Sequence, residues 1–149
     1  MELTSDDGLV SAAGDGVHRT IGRYVHFVDE SDFARVSELF VADCEFVIEV
    51  FDKPARERLR GRAAIRERLA RSAERRAADP SRDAVRRHHV SSVLVEVESE
   101  ALATSTSYFI AMTRNGPDHW GRYSDRLRLD GSDWLFLSRY VLVEGRRVG

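Results

Sequence analysis

Two adjacent histidines, His88 and His89, stand at the start of a valine-rich segment whose residues alternate in polarity. This pattern predicts a β-strand, and successive side chains of a strand point to opposite faces. One imidazole therefore faces the interior, but the alternation does not decide which, because both faces contain apolar residues. A pocket histidine can take and return a proton near neutral pH; the alternative is a hydrogen-bonded polar residue at a strand's start.

Asp29, in the sequence VDESD, is a carboxylate that could pair with such a histidine. Helical periodicity places it at the end of the first predicted helix, where the helix dipole disfavours an acid by up to about 1 kcal/mol. Glu30 and Asp32 instead fit the first turn of the next helix. An acid in an unfavourable local position is typical of a functional site, where it would orient an imidazole and stabilise its protonated form. The alternative is an exposed carboxylate at a helix end.

Aromatic residues supply further candidates for a pocket. Tyr24 lies on the apolar face of the first helix and Tyr123 on a predicted strand, and either hydroxyl could polarise a carbonyl or position a water. Phe46, Tyr108 and Trp120 could form a wall that binds a flat or apolar ligand. Packing in a hydrophobic core is the alternative for all five.

The first half of the chain predicts helices that could carry Asp29 and Tyr24. Steps of four, three and four residues from Val17 through Ile21 and Tyr24 to Val28 predict a helix whose N-cap is Asp15. The other predicted elements of this half are a short helix capped by Ser31 and running through Phe40, a strand from Asp43 to Phe51, and a third helix that follows Arg62 and ends before Asp79-Pro80.

The second half predicts four long strands joined by short turns, with turn sequences at residues 115–118 (NGPD) and 130–133 (DGSD). Helices followed by consecutive strands predict an α+β fold with helices on one side of a curved antiparallel sheet. Asp125 and Arg139 lie on neighbouring strands, where a cross-strand ion pair is their expected role. The acidic, polar residues 1–14 are expected to form a flexible arm before a single domain over 15–149.

Composition narrows the classes of partner. The 149 residues carry a net charge of −2, which gives no electrostatic preference for nucleic acid or a membrane. Between Arg56 and Arg87, twelve arginines against five acids leave a surplus of seven. A solvated helix face explains that surplus most simply, and docking of an acidic carrier protein is the alternative.

Several chemistries lack their residues in this sequence. It contains no glycine-rich nucleotide loop, no metal-ligand spacing and no glycine-flanked serine, so neither a cofactor nor a metal is expected. The lone Cys44 is expected to be buried filler, and it leaves no internal disulfide. With no signal-like or membrane-spanning segment in this sequence, a cytoplasmic location is expected.

Taken in order, four segments resemble the SnoaL-like branch of the nuclear transport factor two-like superfamily: IGRYVHFVDESDFARVSELF, GRAAIRERL, RHHVSSVLVEV and GRYSDRLRLDGSDWLFLSRYV. The resemblance covers about residues 15–145. It implies a cone, in which N-terminal helices close a bent antiparallel sheet over a central pocket. It also implies a homodimer formed through the outer face of the sheet.

The enzymes that the chain resembles include scytalone dehydratase and small polyketide-type dehydratases and cyclases, which pair a pocket histidine with a helix aspartate. By position, the resemblance assigns these roles to His88 and Asp29. Ser92, which shares the strand face of His88 and is expected to contact the substrate, stands where close relatives often carry asparagine. Val28 stands where scytalone dehydratase has a tyrosine.

The resemblance therefore implies a cofactor-independent enzyme that performs dehydration, isomerisation or cyclisation on a small apolar or aromatic molecule. A non-catalytic binding or dimerisation module of the same fold is the alternative. The small beta subunit of a ring-hydroxylating dioxygenase, which requires a large partner, ranks third.

Overall fold

A computed structural model describes residues 5–148. In chain order, the elements of these residues are α1 (Ser5–Asp29), α2 (Phe33–Glu38), β1 (Phe40–Val50), β2 (Glu57–Arg60), α3 (Arg62–Ala77), β3 (Arg87–Val97), β4 (Leu102–Thr113), β5 (Gly116–Asp130) and β6 (Asp133–Arg146). Within the described residues, no helix is both long and apolar enough to cross a membrane.

Helix α1 buries the predicted face, with Val17, Ile21 and Tyr24 all at most 5% exposed. It begins at Ser5, so the flexible arm predicted for residues 1–14 is wrong for residues 5–14, and residues 1–4 lie outside the described chain. Ala13 accounts for a start before Asp15, because it continues the buried stripe by one more turn and alanine is the strongest helix former. Asp15 consequently lies inside the helix instead of capping it.

Helix α2 is shorter than predicted and begins one residue later. Its N-cap is Asp32, whose side chain accepts a hydrogen bond from the backbone N–H of Arg35 at 3.2 Å. Ser31, the predicted cap, has a φ of 58° and forms the left-handed turn between α1 and α2. Leu39 is the C-cap, and Phe40 already belongs to β1.

The strands form one curved sheet in the order β2-β1-β6-β5-β4-β3. Strands β3 to β6 make the predicted antiparallel meander, whereas β1 pairs with β6 in parallel. Strand β2, which the sequence did not predict, pairs antiparallel with β1. Helices α1 and α3 pack against the sheet, which confirms the α+β class.

The inner face of the sheet holds a polar pair at its centre. Arg139 is 0% exposed and donates from Nε and Nη2 to the two carboxylate oxygens of Asp125 at 2.8 and 3.0 Å. The predicted cross-strand ion pair is therefore confirmed, but it is fully buried. The Arg139 guanidinium carbon lies 4.1 Å from the ring centroid of Tyr24 and 3.9 Å from that of Tyr123. Cys44 is buried, as predicted.

Candidate acid–base site

The last residue of α1 meets the start of β3, and this junction forms the candidate site. His88 Nδ1 lies 2.6 Å from Oδ1 of Asp29, and the backbone N–H of His88 donates to Oδ2 at 2.9 Å. The two side chains are only 7% and 8% exposed. Because an ionised carboxylate only accepts hydrogen bonds, this geometry places the ring proton on Nδ1 and leaves the lone pair on Nε2.

The protonation states follow from this contact. Burial lowers the pKa of His88 below its ordinary value, and the hydrogen bond to Asp29 opposes this only in part. Burial alone would raise the pKa of Asp29, but the hydrogen bonds from the ring and backbone of His88 hold it below its usual range. The pair at neutral pH is therefore a carboxylate and a neutral imidazole. Nε2 makes no hydrogen bond to a described residue, so its lone pair is not engaged within the described part of the chain.

His89 points away from this site and is exposed. The same alternation would carry Ser92 inward, but a bulge between Ser91 and Leu94 shifts the register of β3. Ser92 sits in that bulge with a φ of 54° and is exposed, and Leu94 beyond it is 57% exposed. This corrects the expectation that Ser92 contacts substrate beside His88.

A second histidine–carboxylate pair, absent from the sequence prediction, faces the first. The ring of His119 on β5 has its centroid 5.8 Å from that of His88. Its Nδ1 lies 2.7 Å from Oδ2 of Asp118, which also accepts from Nη2 of Arg76 at 2.7 Å. The hydrogen bond from His119 is the main cause that lowers the pKa of Asp118. The sequence did contain a signal for His119. It lies four residues before Tyr123 on the same strand, so alternation places both side chains on the same face of the sheet.

Phe109 connects the histidines to the two predicted tyrosines. Its ring centroid lies 6.3 Å from His88 and 5.7 Å from His119, and it stacks on Tyr123 at 4.5 Å. Tyr24 packs edge-on against Tyr123 at 6.0 Å. Burial raises the pKa of both tyrosines, so both phenols stay protonated and can only donate or accept as neutral groups. Their catalytic role stays a prediction.

The structure does not bring the three predicted wall residues to the site. Phe46 is 1% exposed and packs against Phe40 in the core, with ring centroids 5.9 Å apart. Tyr108 and Trp120 are 54% and 39% exposed on the opposite face of the sheet. Strand parity explains this, because Phe109 and His119, their immediate neighbours, face inward. The prediction that Phe46, Tyr108 and Trp120 form a wall beside His88 is therefore wrong.

Two cavities lie near the His88–Asp29 pair, and His88 is not among the lining residues of either one. A groove of about 590 Å³ is lined by Asp118 and His119 together with residues 79 and 81–83. A smaller cavity of about 160 Å³ is lined by Asp29, Arg76 and Arg86, with apolar walls from α1, α2 and α3. The segment between α3 and β3, residues 78–86, supplies lining residues to both cavities. Across residues 5–148, no group of three or more His, Cys, Asp and Glu side chains is arranged to hold a metal ion.

Comparisons with known proteins agree with this architecture. The model of the SnoaL-like domain family matches residues 11–140, so the chain belongs to that family. This confirms the resemblance to the SnoaL-like branch of the nuclear transport factor two-like superfamily. No curated protein matches the chain.

Among solved structures, the chain is similar to a candidate scytalone dehydratase from Novosphingobium aromaticivorans, with 22% identity, a TM-score of 0.74 and coverage of 94% of this chain and 89% of that one. It is also similar to the beta subunit of a candidate aromatic-ring-hydroxylating dioxygenase from the same organism, at 16% identity and a TM-score of 0.73 over 94% of each chain. An NTF2-like protein with a cystatin-like fold, again from that organism, matches at 21% identity and a TM-score of 0.74, covering 96% of this chain and 90% of that one. These similarities establish the fold.

Proposed function

We propose that this protein is an enzyme that performs dehydration, isomerisation or ring closure on a small apolar or aromatic molecule by acid–base catalysis. The observation that carries the proposal is the buried His88–Asp29 pair, whose carboxylate holds the imidazole by its ring and by its backbone. Membership of the SnoaL-like family and the likeness to a candidate scytalone dehydratase support the same chemistry.

In this mechanism, Nε2 of neutral His88 removes a proton from a carbon beside a carbonyl group. Asp29 stabilises the imidazolium that results and keeps the ring in place. The same proton then returns to a departing hydroxyl group, which leaves as water, or to a different carbon of the substrate. His119, Tyr24 or Tyr123 would hydrogen-bond to the carbonyl oxygen as negative charge develops on it.

Proton exchange in D₂O tests this without knowledge of the natural substrate. The wild-type protein would be incubated with a panel of small hydroxyketones and aromatic cyclic ketones, and deuterium incorporation and loss of water followed by NMR. We expect His88→Gln to lower the rate on any active compound by about 10²- to 10⁴-fold. His89→Gln, one residue away on the opposite face, is the matched control and should leave the rate unchanged. Full activity in His88→Gln would contradict the mechanism.

A non-catalytic binding module is the second candidate, supported by the side chains that fill the inner face. The Arg139–Asp125 pair and the rings of Tyr24, Tyr123 and Phe136 occupy the centre of the molecule. That function predicts ligand binding with no proton exchange in the same assay. The beta subunit of a ring-hydroxylating dioxygenase ranks below it; this possibility rests on the likeness in fold to one such subunit.

A further inference from the structure

Arg86, two residues before His88, is an arginine without a partner inside the site. Its side chain is half-buried and lines the cavity of about 160 Å³ beside Asp29. It makes no side-chain hydrogen bond or ion pair to a described residue. Arg76, on the wall of the same cavity, is by contrast bound to Asp118 and to the backbone oxygen of Asp83.

The nearby carboxylates are already engaged by other groups. Both oxygens of Asp29 accept hydrogen bonds from His88, and Oδ2 of Asp118 accepts from Arg76 and His119. Arg86 is nevertheless close enough to Asp29 and Tyr123 for its charge to lower their pKa values. The Arg86 guanidinium therefore lies close to the His88–Asp29 pair, while its N–H donors make no hydrogen bond to a described residue.

A cation in such surroundings is only partly compensated, because it has lost part of its water, and the charges of Asp118 and Asp29 offset that loss without a hydrogen bond to its donors. Burial accordingly lowers the pKa of Arg86, although an arginine remains charged at any physiological pH. An acceptor that arrives with a ligand removes this penalty. The planar guanidinium matches a carboxylate especially well, since two parallel N–H groups can donate to its two oxygens.

The rest of the cavity limits the size and character of that ligand. Its walls include Val28, Phe33, Leu69 and Ala73, which suit a compact apolar group. We infer that Arg86 binds the carboxylate of a small, otherwise apolar carboxylic acid in the cavity beside Asp29. This inference rests on the proposed function and narrows its substrate class from apolar molecules to apolar carboxylates, held by Arg86 beside Asp29, the partner of the His88 base.

Binding of simple carboxylates tests the inference directly. The probes are isobutyrate and benzoate, each compared with its neutral amide, isobutyramide and benzamide, and the readout is the shift of the backbone amide NMR signals of the cavity residues during titration, which is measurable in the wild type and in every variant. We expect the acids to bind with a Kd on the order of 1 mM, as is usual for so few ligand atoms, and the amides to bind far more weakly. In Arg86→Gln, the Kd of the acids should rise by about 10- to 100-fold.

Arg87→Gln is the matched control, because Arg87 is the next residue, is exposed and donates only to the backbone oxygen of Arg86. It should bind the acids like the wild type. Thermal unfolding separates binding from a structural role: loss of an unpaired charge should leave the Tm of Arg86→Gln unchanged or higher, whereas loss of a structural contact would lower it.

Three results would overturn the inference: no saturable binding of either acid, equal binding of acids and amides, or unchanged binding in Arg86→Gln. The outcome is independent of catalysis. Carboxylate binding through Arg86 without proton exchange in D₂O would refute the proposed function alone. Exchange that depends on His88 but not on Arg86, with no acid bound, would refute the inference alone.

Discussion

At the scale of single residues, burial and the contact between His88 and Asp29 set the pKa values of both groups. In the folded protein the pKa of His88 lies below its ordinary value of 6.5, and that of Asp29 lies below 3.8. The unfolded chain therefore binds more protons than the folded protein in acid. Both groups consequently add stability that is present above those ordinary values and is lost as the pH falls below them.

We therefore predict that the free energy of unfolding of the wild type decreases as the pH falls from 7 to 5, and that His88→Gln loses the part of this decrease that begins near 6.5. Urea unfolding at several pH values measures the free energy of unfolding of both proteins. His89→Gln should follow the wild type. Identical pH dependence in the wild type and His88→Gln would show that His88 is not a buried neutral imidazole.

The same two residues show why only part of the site could be predicted from the sequence. Asp29 stood out because a helix dipole disfavours an acid at that position, and the family resemblance then selected His88 over His89. Arg86 and His119 were missed, although His119 shares strand parity with Tyr123 and Arg86 lies two residues before His88. Arg86 was one of twelve arginines in a basic stretch. Nothing in a sequence marks which of these cations lacks a partner, because partners come from distant elements.

At the scale of elements, periodicity predicted most helices and strands but not the irregular points between them. The bulge in β3 exchanges the inner and outer faces after Ser91, so Ser92, which alternation places on the same face as His88, is exposed instead. Strand β2 is only four residues long and carries arginines at two of them, which hid it from a search for apolar alternation. Such features depend on how strands pair, so local residue types do not reveal them.

Ser92 allows a test of the bulge. Its φ of 54° is unfavourable for a β-branched residue and natural for glycine. We expect Ser92→Val to lower the free energy of unfolding by about 1–2 kcal/mol, and Ser92→Gly to cause no loss. Urea unfolding of both variants measures this, with Ser91→Val as the control at a neighbouring exposed position. A more stable Ser92→Val protein would mean that β3 continues without the bulge.

At the scale of the whole molecule, the α+β fold was predictable because helical periodicity dominates the first half of the chain and alternation dominates the second half. The outer face of the sheet, however, presents Tyr108 and Trp120 to solvent, with Arg122 and Glu144 beside them. Exposed aromatic residues on a sheet face are typical of an interface. We propose that two copies pair through this face, as the family resemblance implied.

Light scattering tests the assembly. We expect the wild type to have twice the chain mass of 16.9 kDa. The Trp120→Glu variant should have a mass closer to that of a monomer, because dimerisation would bury the new charge at the interface. Glu100→Gln, at an exposed position in the turn between β3 and β4, is a control that should remain dimeric. A trimer would instead favour the beta-subunit alternative, and a monomeric wild type would exclude pairing through Tyr108 and Trp120.

The most direct test of the central claim is an NMR titration of the ¹⁵N-labelled imidazole of His88, assigned by comparison with His88→Gln. The account predicts a neutral ring at pH 7 with its proton on Nδ1, and a pKa below 6.5. A ring protonated on Nε2, or one that titrates at or above 6.5, would contradict the claim that burial keeps His88 neutral while Asp29 fixes its tautomer for proton transfer.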